Sequence, residues 1–257
     1  PYRFFIKEIA GDRFDVDVMV PAGSSAHSYE PSPRQMVESA KARVWFALGE
    51  SFEPRVIKTI KGMNPGMEVI DLRQGVDLIK ESSCHCHQGG LCLAQGFDPH
   101  MWLSPKEAKV QVRLIEKTLS KIDPESSALY QERTAALEKK LDDMDLLMKE
   151  TLPKDKPITI LVSHPSFGYL ARDYGLFQVS IEFEGREPTQ KQVLSVVEAA
   201  KTAHINTVFT QEAHPSKGAK VIADYLRAKR VVVDPYNENY FSNLKAMSDA
   251  FSASRPE

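Results

Sequence analysis

The sequence predicts an α/β protein with two lobes, each built around a mainly parallel sheet. Short apolar runs of strand length alternate with segments of helical periodicity in residues 1–123 and again in residues 153–257. Such alternation is typical of parallel sheets covered by helices. Between the two halves, residues 124–152 form one uninterrupted helical pattern that is rich in helix-forming residues. We therefore predict an N-terminal lobe (1–123), a long linking helix (124–152) and a C-terminal lobe (153–257).

The N-terminal half begins within a helical pattern that Gly11 ends. Because a chain seldom starts inside a helix, we expect a first strand, and any targeting segment with it, to precede Pro1. Apolar runs then predict strands, and Ser-Pro pairs predict helix starts. The predicted elements are a strand at 14–20, a helix from Ser32-Pro33, strands at 44–49 and 67–72 around a helix at 54–61, and a helix from Ser104-Pro105.

The C-terminal half shows a regular alternation of the two patterns. Glycine, proline and polar residues separate the segments, and Gly175 ends the first helix. The predicted strands are 158–163, 177–181, 206–210 and 230–234, and the predicted helices are 167–175, 190–203, 215–228 and 240–251.

Composition restricts the class of function. The chain has 257 residues, of which 42% are hydrophobic and 26% charged, so it can bury a sizeable core. Its formal net charge is −2 with both signs dispersed, which argues against nucleic acid or an anionic membrane as the main partner. No apolar run approaches the roughly 20 residues that span a bilayer. We expect a globular monomer.

Metal-ligating side chains follow several of the predicted strands. Ligands of parallel α/β sheets bind beyond the carboxyl ends of the strands. His27 and His164 each lie after a strand, Asp234 follows the strand "RVVV", and His100 lies on the loop before Ser104. Three imidazoles and one carboxylate can surround zinc tetrahedrally at about 2.0–2.2 Å. We therefore predict one metal site with His27, His100, His164 and Asp234 as ligands, two from each lobe.

Four segments around these residues resemble a known family. "VPAGSSAHSYEPSPRQM", "FDPHMWLSP", "SHPSFGYLARDYGL" and "VVVDPYNENYFSNL" are similar to the ligand-bearing segments of the metal-binding solute-binding proteins of ABC importers, the zinc and manganese group. The segments occur in the family's order, and the family's long helix corresponds to residues 124–152. The fourth segment, which carries Asp234, is shorter and more divergent.

This resemblance implies the biological role of the chain. It implies a metal site in the cleft between two lobes, a location in the periplasm or anchored outside the cytoplasmic membrane, and delivery of the metal to an ABC transporter permease. Zn²⁺ is the expected cargo because imidazole ligands and four-coordination suit zinc, whereas manganese-selective relatives tend to carry a carboxylate at the position of His164. Mn²⁺ and Fe²⁺ are the alternative cargoes.

Other candidate residues have plausible structural explanations. His204 falls between a helix and a strand and is interpreted as structural, and Trp102 as a core aromatic residue that helps to enclose the site beside His100. His214 follows a strand, so it is either part of a polar loop or a spare ligand or ligand-supporting residue. The acidic stretch "EFEGRE" (182–187) is interpreted as a solvated loop.

The stretch "CHCHQGGLC" at residues 84–92 holds all three cysteines. Its four consecutive cysteine and histidine residues point in different directions, so they cannot converge on one tetrahedral ion, and the spacing matches no zinc finger. We interpret it as a short variant of the mobile histidine-rich loop of zinc-binding relatives, with either weak auxiliary metal binding or a disulfide from Cys92 to Cys84 or Cys86. It is not the main site.

Two other classes of function were considered. A zinc hydrolase keeps an open coordination position and a nearby general base, but the four predicted ligands close the shell and no HExxH motif is present. An adhesin in which the metal is only structural would unfold when the metal is removed, whereas a carrier is stable without its cargo. We therefore expect a carrier and not an enzyme.

Overall fold

The computed structural model describes residues 1–80, 96–182 and 187–256, and the chain forms two compact units. Unit 1 consists of Pro1–Asp77 and Pro105–Asp142, and unit 2 of Leu78–Ser104 and Asp143–Glu257. The segment with His100 thus belongs to unit 2 and not, as the sequence predicts, to the N-terminal lobe. The cysteine-bearing stretch at 84–92 lies outside the described residues, so neither its disulfide nor its auxiliary metal binding is tested. Among the helices described, none has both the length and the apolar character needed to cross a membrane.

Unit 1 combines a parallel strand pair with flanking helices. The two strands pair from Val44 with Glu68 to Ala47 with Asp71. The elements of unit 1 are α1 (Tyr2–Ala10), α2 (Pro33–Ser39), β1 (Val44–Ala47), α3 (Glu53–Met63), β2 (Glu68–Asp71), α4 (Pro105–Ile122) and the first part of α5 (Ser127–Thr151), which continues into unit 2.

The helix boundaries of unit 1 follow from local capping chemistry. Gly11 ends α1 with a positive φ of 61°, a conformation that glycine adopts without strain. The Ser32 side chain accepts a hydrogen bond from the Gln35 backbone, and the Gln35 side chain accepts one from the Ser32 backbone. This capping box, with Pro33 in the first turn, fixes the start of α2. Both predicted boundaries are confirmed.

The predicted strand at residues 14–20 is wrong. In the described part of the chain, this segment has no ladder partner and is not a strand. Val18 is 47% exposed, whereas Met19 and Val20 pack against the buried cluster around Phe52. The apolar residues of this segment are therefore only partly buried, and a strand also requires a neighbouring backbone to bond with.

Unit 2 contains a four-stranded parallel sheet in the order β4-β3-β5-β6. Its elements are the end of α5, β3 (Ile158–Val162), α6 (Gly168–Asp173), β4 (Leu176–Ser180), α7 (Gln190–Thr202), β5 (Thr207–Thr210), α8 (Lys217–Leu226), β6 (Lys229–Val232) and α9 (Tyr240–Ala253). From β3 the chain continues to β4, which lies on one side of β3. It then crosses to β5 on the other side of β3 and continues outwards to β6. The direction of winding therefore reverses between β3 and β5, and this reversal is the topological switch point of the sheet.

Alternate residues of β5 place the core of unit 2 on both faces of the sheet. Val208 is fully buried in a cluster with residues of α7 and α8, such as Val197 and Ile222. Phe209 points to the opposite face, where its ring contacts Phe251 of α9 with centroids 4.8 Å apart. Helices thus cover both faces, as the continuous apolar strands require. The predicted two-lobed α/β architecture with parallel sheets and one long helix is confirmed.

The turn between α5 and β3 generates a test of the packing in unit 2. The Gly175 amide donates to the Leu152 carbonyl at 2.9 Å, and a Cβ at position 175 would collide with the Pro153 carbonyl oxygen. We predict that Gly175→Ala lowers the free energy of unfolding by roughly 1–3 kcal/mol because the backbone must shift to remove this collision. Thermal unfolding measures the effect.

The matched control for this substitution is Gly62→Ala within α3. A Cβ there meets no atom within 4 Å, and alanine favours the helix by up to about 1 kcal/mol. The control is expected to melt at or slightly above the parental temperature. Equal melting temperatures for the two variants would contradict the assigned packing at Gly175.

Candidate metal centre

His27, in unit 1, lies in the single-turn helix Ala26–Ser28 and is oriented by a buried carboxylate. Its Nδ1 is 3.0 Å from Oε2 of Glu50, whose side chain is only 5% exposed. The Ser51 hydroxyl donates to the His27 carbonyl at 3.0 Å. Both contacts hold the histidine to the loop that follows β1.

That loop is organised by a second carboxylate, Glu53, at the first position of α3. Its oxygens accept hydrogen bonds from three successive backbone amides, the last of which belongs to Glu50, and from the indole of Trp45. Burial raises the pKa of Glu53, and these hydrogen bonds oppose that shift because they stabilise the charged form. Glu53 therefore fixes the loop from which Glu50 reaches His27.

His100, in unit 2, is almost completely buried and is bound twice by one carboxylate. Oδ1 of Asp98 accepts hydrogen bonds from the His100 backbone amide at 2.9 Å and from its Nδ1 at 2.8 Å. The hydroxyl of Tyr236 lies 3.4 Å from Nε2, on the other edge of the ring. Asp98 thus fixes both the loop conformation and the orientation of the imidazole.

An aromatic wall lies beside His100, as the sequence suggested for Trp102. The Trp102 ring centroid is 5.4 Å from that of His100, and its indole donates to the Pro235 carbonyl at 2.8 Å. The Tyr240 hydroxyl donates to the Trp102 carbonyl at 2.6 Å. Burial raises the pKa of Tyr240, so its phenol keeps its proton at neutral pH and remains the donor in this contact.

His164 also has a carboxylate partner in unit 2. It follows β3 directly, is 5% exposed, and has its Nδ1 2.7 Å from Oε2 of Glu182. The centroids of His164 and His100 are 5.6 Å apart, so two of the predicted ligands lie side by side. The interpretation of Glu182 as part of a solvated loop is therefore wrong. Glu187, at the end of the same stretch, accepts hydrogen bonds from backbone amides at the start of α8.

All three predicted histidines thus share one arrangement. An ionised carboxylate can only accept, so each Nδ1 carries the proton and each Nε2 carries the lone pair that a metal needs. Histidines that bind metals in proteins are oriented in this way by a carboxylate or carbonyl on the other ring nitrogen. The arrangement therefore provides Nε2 donors of fixed direction, which suit a borderline ion such as Zn²⁺.

Asp234 has a different environment from the histidines. Its Oδ1 accepts a hydrogen bond from the Tyr236 backbone amide at 3.0 Å, and its carbonyl accepts one from the Asn243 side chain. It lines a cavity of about 330 Å³ together with residues of α9 that include Met247. His100, His164 and His214 are described by the structure but are not among the residues that line this cavity. The carboxylate thus closes a turn before Pro235, which is the structural interpretation of this residue.

The two remaining histidines of unit 2 differ from one another. His204 is exposed, has a positive φ of 52° and donates its backbone amide to the Lys201 carbonyl directly after α7. His214 is half-buried, and its ring stacks on that of His164 with centroids 3.7 Å apart and planes 4° from parallel. His204 lies between α7 and β5, at the position that the sequence predicted for it. His214 thus lies beside His164, which in turn contacts His100. The sequence left open whether His214 belongs to a polar loop or is a spare or supporting ligand.

Sequence reasoning missed the three carboxylates that orient the histidines. Asp98 stands two residues before His100, so its role could have been considered from spacing alone. Glu50 and Glu182 are 23 and 18 residues from their histidines, and only the fold brings them into contact. No local pattern marks such partners.

Comparisons with known proteins identify the family to which the chain belongs. The family model described as "ZnuA: Zinc-uptake complex component A periplasmic" matches residues 1–254. A putative metal-binding protein of Chlamydia muridarum (strain MoPn / Nigg) is 30% identical over 253 residues, covering 98% of this chain and 88% of the relative. The high-affinity zinc uptake system protein ZnuA of Bacillus subtilis (strain 168) is 30% identical over 241 residues, which cover 91% of this chain and 75% of the relative.

Solved structures give the same result at the level of the fold. A crystal structure of ZnuA superposes with a TM-score of 0.89 at 30% identity, covering 99% of this chain and 95% of that one. A zinc-bound deletion mutant of ZnuA superposes with a TM-score of 0.88 at 31% identity, covering 100% and 96%. Because both the family model and these structures match nearly the whole chain, the protein belongs to the ZnuA family of periplasmic zinc-uptake components.

Proposed function

We propose that this protein captures a divalent transition metal ion, preferably zinc, outside the cytoplasmic membrane and delivers it to the permease of an ABC importer. The observation that carries the proposal is the carboxylate on Nδ1 of His27, His100 and His164. A histidine with only a packing role has no need of a carboxylate that fixes its tautomer, whereas a ligand does. The relative from Bacillus subtilis is named as a zinc uptake protein, which supports the same role.

The proposed ligands bind through Nε2. His100 and His164 supply two donors from unit 2, and His27 supplies a third from unit 1. Asp234 is the fourth candidate on the basis of the sequence. The protein itself performs no reaction on the ion, because its residues only position, desolvate and release it.

The preference for zinc follows from the donor atoms. Manganese prefers oxygen ligands and higher coordination numbers, whereas imidazole nitrogen suits zinc. Affinity for nitrogen-containing sites also increases from Mn²⁺ to Zn²⁺ along the usual divalent order. With a histidine at position 164, the proposed set contains at least three nitrogens, so zinc is the expected cargo.

The first prediction concerns the ligand itself. His164→Ala removes one donor, so zinc affinity is expected to decrease at least about tenfold, which corresponds to about 1.4 kcal/mol. A competition titration against a chromophoric chelator measures the affinity. The matched control is His204→Asn, which removes an exposed imidazole of the same unit at a position where asparagine tolerates the positive φ. If both variants bind zinc as tightly as the parent, the proposed site is wrong.

The second prediction concerns the orienting carboxylate. Asp98→Asn keeps the shape of the side chain but removes its charge, so His100 is held less firmly and zinc affinity is expected to decrease about 10–100-fold. The matched control is Asp142→Asn, which removes an exposed carboxylate paired with Lys109. The same titration applies, and equal affinities for the two variants would show that Asp98 does not support a metal ligand.

The third prediction concerns the choice of metal. In a competition titration at neutral pH, zinc is expected to displace manganese at equimolar amounts, because the donors are mostly nitrogen. His164→Glu replaces one nitrogen ligand by an oxygen ligand, so the difference between the affinities for zinc and manganese is expected to decrease. Stronger binding of manganese by the parent protein would refute the preference for zinc but would still be consistent with the capture of a divalent metal ion.

A further inference from the structure

The His164–His214 stack lies at the point where the fold favours ligand binding. In open parallel sheets, ligands bind beyond the carboxyl ends of the two strands between which the winding direction reverses. In unit 2 these strands are β3 and β5. His164 is on the loop that follows β3, and His214 is on the loop that follows β5. The two rings therefore meet across the switch point of the sheet.

A buried glutamine holds these two loops together. The Nε2 of Gln211 donates to the His164 carbonyl at 3.1 Å, and its backbone amide donates to the Ser163 hydroxyl at 3.3 Å. The Gln211 carbonyl in turn accepts a hydrogen bond from the His214 amide at 3.1 Å, which closes a tight turn. One residue thus bonds to the backbone of both histidines, and their rings stack between the two loops.

We propose that His214 is a ligand of the transported metal ion, in the position for which the sequence alone suggested Asp234. This inference rests on the proposed function. One ring nitrogen of His214 lies within 4.8 Å of one of His164. Neighbouring donors of a tetrahedral zinc ion are about 3.4 Å apart, as bond lengths of 2.0–2.1 Å require. A small movement of one ring therefore places both nitrogens on one ion.

His214 is the ring that moves. Glu182 holds Nδ1 of His164 at 2.7 Å, so the direction of the His164 Nε2 is fixed. In the parallel stack the lone pairs of the two rings lie in separate planes, and both can address one ion only after His214 tilts out of the stack. Its ring is half-buried and carried on the turn after β5, and the proposed coordination requires this ring to tilt from its position in the stack.

Asp234 is a weaker candidate for the same coordination position. Its Oδ1 accepts the Tyr236 amide, and the residue borders the cavity beside α9. Among the described residues, the group of side chains whose possible ligand atoms lie within 4.8 Å of one another contains His164 and His214 but not Asp234. With His214 instead, the donor set becomes four imidazoles, which moves the preference further from manganese.

The experiment compares His214→Ala and His214→Gln with Asp234→Asn, using His204→Asn as the control and His164→Ala as the reference for loss of a ligand. Zinc affinity is measured by chelator competition, and the ligand set is read from the visible absorption of the Co²⁺-substituted protein. Circular dichroism and thermal melting of each metal-free variant verify its fold, and the glutamine variant provides a second test if the alanine variant does not fold.

The expected result is at least about a tenfold loss of zinc affinity in both His214 variants with an altered Co²⁺ spectrum. Asp234→Asn is expected to lose less than about threefold, like the His204→Asn control. If the His214 variants match that control in affinity and spectrum while His164→Ala loses binding, the inference is overturned and the proposed function stands. If His164→Ala also binds like the parent, the proposed function itself is overturned.

Discussion

The hydrogen bond between a carboxylate and Nδ1 of a histidine is the interaction on which the proposed metal centre depends. An imidazole can present either ring nitrogen and can rotate, so an unsupported histidine offers a ligand of undefined direction. The carboxylates of Asp98 and Glu182 remove that freedom because each accepts a hydrogen bond from Nδ1, which leaves the lone pair on Nε2. The same arrangement recurs at His27 with Glu50. The same carboxylate–histidine hydrogen bond thus occurs on three separate loops.

The fold of unit 2 brings its histidines and carboxylates together. A parallel sheet covered by helices on both faces brings several loops to one edge, and the reversal of winding between β3 and β5 separates the helices that follow them. Polar side chains that meet there are shielded by neighbours such as Trp102 and are bonded to one another. Burial strengthens each of these hydrogen bonds, and the cost of leaving a partner unbonded makes the arrangement specific.

Much of the fold could be predicted from the sequence because its signals are local. The capping box at Ser32 and the glycine after α1 mark helix ends with atoms that lie a few residues apart. The strand predicted at 14–20 failed because strand formation depends on a partner elsewhere in the chain. The division into units also eluded prediction, since the chain after Asp77 enters unit 2 and returns to unit 1 at Pro105.

In the candidate site, too, residues with local sequence signals could be predicted, whereas residues that depend on distant partners could not. His164 was found because it follows β3, a strand that the sequence predicts, whereas His27 was placed after a predicted strand that the fold lacks. The structure places His164 beside His100, which the sequence predicted on a loop before a helix. Glu182 was missed because its role appears only when β4 is placed beside β3. His214 remained ambiguous because its partner, His164, lies 50 residues away in the chain and one strand away in the sheet.

An anomalous difference map of zinc-loaded crystals, recorded on both sides of the zinc absorption edge, locates the bound metal ion directly. We predict one strong peak per chain, within about 2.1 Å of Nε2 of both His100 and His164, with Asp98 and Glu182 still hydrogen-bonded to Nδ1. A peak bonded to Nδ1 of either ring would contradict the proposed metal centre. So would a single peak at residues 84–92 with both Nε2 atoms uncoordinated.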